Sequence, residues 1–204
     1  MRIDRVVVNS SPLITLFNSG QAELLPKLFS EVLVPDAVWL EVAEGGHQDI
    51  AAQAIRSAQW IKRLPPTLPD PVVLAWDAGP GETAVISFAR TDADLRAVVD
   101  DDYARRCARV LGVKTLGTCG VILLAKRRGI IPCVKPALDA LRTAGLWLSD
   151  SLIRTIQEEG SDGKGERFES HKQRPTVLSV SEADRGVVFQ PAVTIRPLPS
   201  LPHP

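Results

Sequence analysis

Three separated acidic positions carry the chemistry this chain is equipped for: Glu41, Glu82 and the run Asp100-Asp101-Asp102. A polar cluster, Asn9-Ser10-Ser11, follows the first apolar run and joins them. Carboxylates brought to one place repel one another, and are tolerated best around a divalent cation. Their hard oxygen donors suit Mg2+ or Mn2+. A site of this kind supports metal-dependent phosphoryl transfer, in which water is activated against a phosphodiester. A zinc site of the His/Cys kind is not expected, because the three histidines are far apart and the three cysteines form no paired motif.

Such residues act together only if a fold brings them to one edge. Residues 3–8 read as a buried strand running into Ser10-Ser11-Pro12, a helix start with a hydroxyl cap and proline in the first turn. A short helix over 21–29 and a strand at 32–34 follow, then a helix over 36–44 that carries Glu41. Residues 48–59 have a helical pattern and 60–64 alternate like a strand. A proline-rich link leads to the helix over 81–90. Strands are expected at 97–99 and 113–116, and helices at 100–111, from 117 to Gly129, at 135–144 and at 149–159. Strands alternating with helices indicate an α/β protein with a parallel sheet. In such a sheet the loops leaving the carboxyl ends of the strands line the binding crevice. Asn9 and Asp100-Asp101 both directly follow apolar strands, so both belong to that edge.

Composition narrows the field. With 24 basic and 24 acidic residues among 204, the chain has no global basic footprint, so nucleic-acid contact must come from local patches. The run Val6-Val7-Val8 is too short for a signal peptide, and no stretch approaches the roughly 20 apolar residues of a membrane span. A cytoplasmic protein with no membrane segment is expected. Residues 160–204 are first charged and then proline-rich with no sustained period, and read as a disordered tail after a domain over 1–159.

Each candidate has a plainer use. Glu82 could be a first-turn acid favoured by the helix dipole, Asp101 or Asp102 an N-cap, and Glu41 a solvated helix residue. Gly79-Pro80-Gly81-Glu82-Thr83-Ala84 matches the dinucleotide pattern G-x-G-x-x-A, but Glu82 would set a carboxylate where the pyrophosphate should dock. Haloacid-dehalogenase-like phosphatases need D-x-D after the first strand, which Asn9-Ser10-Ser11 lacks. Response-regulator receivers place their acidic pair at the first strand too, whereas here it comes late.

As an ordered set, several stretches resemble the PIN-like domains of the DUF3368 group over roughly residues 5–158. They are the run from Val6 through Asn9-Ser10-Ser11-Pro12-Leu13-Ile14; Gly79-Pro80-Gly81-Glu82; Asp100-Asp101 with Ala104-Arg105; and Gly117-Thr118-Cys119-Gly120-Val121 leading to Ala125-Lys126. The resemblance implies a three-layer α/β/α fold with a central parallel sheet. It implies a Mg2+- or Mn2+-dependent endoribonuclease acting on single-stranded RNA, commonly the toxin of a toxin–antitoxin pair with a small antitoxin protein as partner, and a homodimer. It implies a site made of Asn9, Glu41, Glu82 and an aspartate at Asp100 or Asp101, of which Asp101 is favoured because Asp100 is then left to end the strand. Thr118 and Ser10 would add hydroxyls, and Arg105 and Arg106 a grip on phosphate, with Arg109 and Lys126-Arg127-Arg128 as further basic groups. The chain departs from the PIN pattern at Asn9, where aspartate is usual. Asparagine offers a carbonyl oxygen but no charge, so a catalytically degenerate fold that binds RNA or protein is the alternative.

Overall fold

Val6, Val7 and Val8 are all fully buried. Successive strand residues point to opposite faces, so this run requires a sheet covered on both sides. A computed structural model describes residues 4–44 and 50–161, which fall within one compact unit of the chain. Its five parallel strands are β1 (Arg5–Val8), β2 (Glu31–Pro35), β3 (Ile61–Leu64), β4 (Leu95–Val98) and β5 (Thr115–Leu116). They lie in the order β3-β2-β1-β4-β5. Parallel neighbours need crossovers, and helices supply them. These are α1 (Ser10–Asn18) and α2 (Leu24–Leu28), then α3 (Asp36–Glu44) and α4 (Ile50–Ser57), then α5 (Pro71–Leu74) and α6 (Pro80–Ala89), and finally α7 (Asp102–Val110). After β5 come α8 (Thr118–Arg127), α9 (Lys135–Thr143) and α10 (Asp150–Ser161). This is the three-layer α/β/α arrangement expected from the sequence.

The strand order decides where a ligand binds. From β1 the chain winds outward through β2 to β3, then returns to β4 on the other side of β1 and continues to β5. The reversal leaves a crevice between the carboxyl ends of β1 and β4. The two strands are in register from Arg5↔Leu95 to Val8↔Val98, so their exits are level. At the opposite edge Arg5 bonds Glu31 at 2.8 Å and Asp92 at 2.6 Å, and Lys62 bonds Glu31 at 2.9 Å, which ties β1, β2, β3 and the approach to β4 together.

Three local expectations are corrected. The cap position of α1 is Asn9, and its side chain makes no cap hydrogen bond; neither Ser10 nor Ser11 caps. Val72-Val73-Leu74, for which no element was expected, belongs to α5, because Pro71 opens the turn and Asp70 accepts from the Val72 N–H at 2.8 Å. The last strand is shorter than 113–116, since only Thr115 and Leu116 pair with β4. Helix α10 runs through Ser161, two residues into the segment expected as tail. The rest of that tail, like Ile3 and the first two residues of the helix expected over 48–59, lies outside the described residues. Among the described residues no helix is long and apolar enough to cross a membrane.

Packing and charge contribute unequally to this fold. Leu16 is fully buried, so Leu16→Ala should cost about 2–5 kcal/mol. The Arg5 cluster is partly exposed, with the Arg5 side chain 39% accessible, so Arg5→Ala should cost about 1 kcal/mol or less. Urea unfolding of the two variants followed by circular dichroism checks the ranking, which a larger loss in Arg5→Ala would refute.

Candidate active site

Asn9 leaves β1 at the crevice, and its N–H donates to Val98 O of β4 at 3.0 Å. Its side chain turns away from α1, and Nδ2 donates to Glu82 Oε1 at 2.9 Å. The amide must face this way round, because the flipped form would set two acceptors against each other. That leaves Oδ1 buried with no hydrogen-bond partner, on a residue 1% exposed. Buried polar atoms are nearly always paired, so an orphaned acceptor in an acidic crevice points to a missing donor or cation.

Glu82 reaches Asn9 because of how α6 begins. Gly79 holds the cap position at φ +89°, a backbone conformation that favours glycine, and Pro80 sets the first turn. Gly81 then passes close beneath the site. A Cβ there would lie 3.0 Å from Asn9 Oδ1 and 3.1 Å from Glu41 Oε2. The orphaned amide oxygen and the Glu41 carboxylate oxygen therefore both border the space that a side chain at position 81 would fill. Glu41 comes from α3 and is exposed as a residue, yet this carboxylate oxygen folds inward.

Asp100 and Asp101, which follow β4, are used differently. The half-buried Asp100 takes the Thr118 N–H on Oδ1 at 2.7 Å and the Thr118 hydroxyl on Oδ2 at 2.5 Å. Helix α8 begins at Gly117, which has no side chain to cap with, so Asp100 caps it from another strand. Arg105 stands beside this pair: a Cβ on Gly117 would lie 3.2 Å from Asp100 Oδ1 and 3.8 Å from Arg105 Nη1. Asp101 is exposed and caps its own helix α7, its Oδ1 accepting from the Ala104 N–H at 2.8 Å. Ser10 is buried as the first residue of α1, and Arg106 is exposed on α7. Lys126 and Arg128 lie at the far end of α8, about 15 Å from its start. There Lys126 donates to Pro132 O at 2.8 Å and Arg128 to Leu28 O.

Among the described residues no three His, Cys, Asp or Glu side chains gather closely enough to hold a metal ion. The physical reason is visible in the bonds. Glu82 has the Asn9 amide, Asp100 has Thr118, and Asp101 has the start of α7, so each carboxylate is drawn to a separate donor. Helices α1 and α6 also begin at this edge without a side-chain cap, and the positive end of a helix dipole favours negative charge. Cys119, next to Thr118, is no nucleophile. Burial first, and then the Asp100 charge, push its thiol up to about 12, so it stays protonated through the neutral range.

Residues 5–161 match the family described as DUF3368, a PIN domain. The chain is a member of that family. No curated protein and no solved structure matches it. The PIN domain is a nuclease-type fold that generally depends on a divalent metal. The residues present fit such an ion in kind: an orphaned amide oxygen and a carboxylate oxygen border the same space at Gly81, with a second carboxylate hydrogen-bonded to the same amide.

Sequence reasoning did not find the Asn9–Glu82 bond, which joins residues 73 apart. It also missed the role of Gly81, although the second glycine of a G-x-G start is a signal for close approach. The bond carries a prediction. Asn9→Asp would set two carboxylates against each other where a donor now sits, a loss of about 1–3 kcal/mol or more. In EDTA the variant should melt about 5 °C or more below the wild type, and Mn2+ should restore more of its Tm than it adds to the wild type. Differential scanning fluorimetry reads both; an unchanged Tm in EDTA would refute the role given to the bond.

Proposed function

We propose that this PIN-domain chain is a metal-dependent endoribonuclease hydrolysing single-stranded RNA, and the toxin of a toxin–antitoxin pair. The observation that carries the reading is that the unpartnered Asn9 Oδ1 and Glu41 Oε2 border one space at Gly81, with Glu82 bonded to the same amide, at the β1/β4 crevice. A Mg2+ or Mn2+ ion held there by Asn9, Glu41 and Glu82, with Asp100 or Asp101 at its edge, would activate water and offset charge on the phosphodiester.

The chain's own groups do the rest. Asn9 orients Glu82 and keeps one of its oxygens engaged. Thr118 holds Asp100 in a fixed rotamer through two hydrogen bonds. Arg105, beside Asp100, and the exposed Arg106 on the same helix would neutralise phosphate oxygens. The starts of α1 and α6, which have no side-chain cap, favour an anion at this edge. An antitoxin protein would enter the same acidic crevice with a basic side chain, and the toxin would work in the cytoplasm, as a homodimer.

A second reading has one observation in its favour. Asn9 Nδ2 already satisfies Glu82 without a cation, which suits a fold that binds RNA or protein and does not cleave. One assay separates the two. Labelled single-stranded RNA incubated with antitoxin-free protein should be cut in Mn2+ or Mg2+, stay intact in EDTA, and stay intact with Glu82→Gln. Folded protein that leaves RNA intact at high Mn2+, but cuts it as Asn9→Asp, would instead establish the degenerate fold.

A further inference from the structure

Trp76 and Tyr103 form a tilted pair with ring centroids 5.7 Å apart. The Tyr103 hydroxyl donates to Trp76 O at 2.6 Å, which fixes the phenol ring against the loop before α6. Tyr103 is 46% exposed, and Val72 and Leu74 beside Trp76 in the chain are 51% and 56% exposed. Tyr103 thus presents an open ring, and the half-buried Trp76 anchors it against the core. The position of the pair supplies its meaning. Tyr103 lies two residues past Asp101 in the first turn of α7, and Trp76 three residues before Gly79, beside which Glu82 Oε2 lies. Arg106, one turn on from Tyr103, projects from the same side of α7.

We infer that Trp76 and Tyr103 form a stacking platform for a base of the single-stranded RNA, next to the phosphate being cleaved. The inference rests on the ribonuclease reading and adds to it a means of gripping the strand. An exposed ring beside a cationic side chain is how single strands are held without reading their sequence, because every base has a π-face. Bases in a duplex are already stacked, so the platform selects unpaired strands. It also gives a chain with no net basic charge a source of affinity that salt does not screen.

The test uses the full chain in EDTA, titrated into a fluorescein-labelled single-stranded RNA and into the same strand made abasic, with binding read by anisotropy. Tyr103→Ala and Trp76→Ala should each weaken binding to the normal strand about 5- to 150-fold. Tyr103→Phe, which keeps the ring and loses the hydroxyl, should stay within about twofold of wild type. All forms should bind the abasic strand alike. Tyr103→Ala binding as wild type, or Tyr103→Phe binding as weakly as Tyr103→Ala, would overturn the inference, the latter assigning the pair to holding the loop. Wild type that fails to bind the strand overturns it too. The ribonuclease reading falls with it only if metal-supported cleavage is also absent.

Discussion

The hydrogen bond from Asn9 to Glu82 is the constraint on which the site's arrangement turns. It joins the end of the central strand to the start of α6 across the point where the sheet reverses direction. Two carboxylates at this 2.9 Å separation would repel each other and could not both stay ionised without a cation. The amide replaces that repulsion with an attraction of about 1.5–3 kcal/mol. With Nδ2 committed to Glu82, Oδ1 borders the space at Gly81 that Glu41 Oε2 also borders. One side-chain choice thus ties the orientation of Asn9 Oδ1 to that of the Glu82 carboxylate.

The rest of the crevice follows a similar rule, in which Asp100 and Asp101 each meet a backbone donor at a helix start. Asp100 caps α8 across the sheet edge because Gly117 cannot. Asp101 caps α7. These bonds hold the loops after β4 and β5 against each other and keep the carboxylates apart. The acidic crevice is therefore self-consistent without an ion, while the orphaned Asn9 oxygen leaves a place for one. A chain with aspartate at position 9 would lack the first property.

Much of this was legible in the sequence, for reasons that differ by element. Apolar triplets bounded by polar residues gave β1, β2 and β4, because a strand buried on both faces has no alternative composition. The helix over 36–44 was read with its observed bounds, since Pro35 and Asp36 mark its start. The acids at the crevice were legible one by one, through their position after a strand or at a helix start. What could not be read was which of them touch. Asn9 has to choose between capping α1 and bonding Glu82, and the choice depends on the backbone approach of Gly81 from a different crossover. The division of labour between Asp100 and Asp101 is set in the same way, by the bare backbone at Gly117. Local propensity does not encode such partners; tertiary placement does.

The most direct test of the account is where a cation sits. Crystals grown with Mn2+ and measured at its absorption edge would locate the ion by anomalous scattering. The account predicts a peak between Asn9 Oδ1, Glu41 and Glu82 at the carboxyl ends of β1 and β4. An empty crevice in Mn2+-saturated crystals, with the Asn9–Glu82 bond intact, would contradict it.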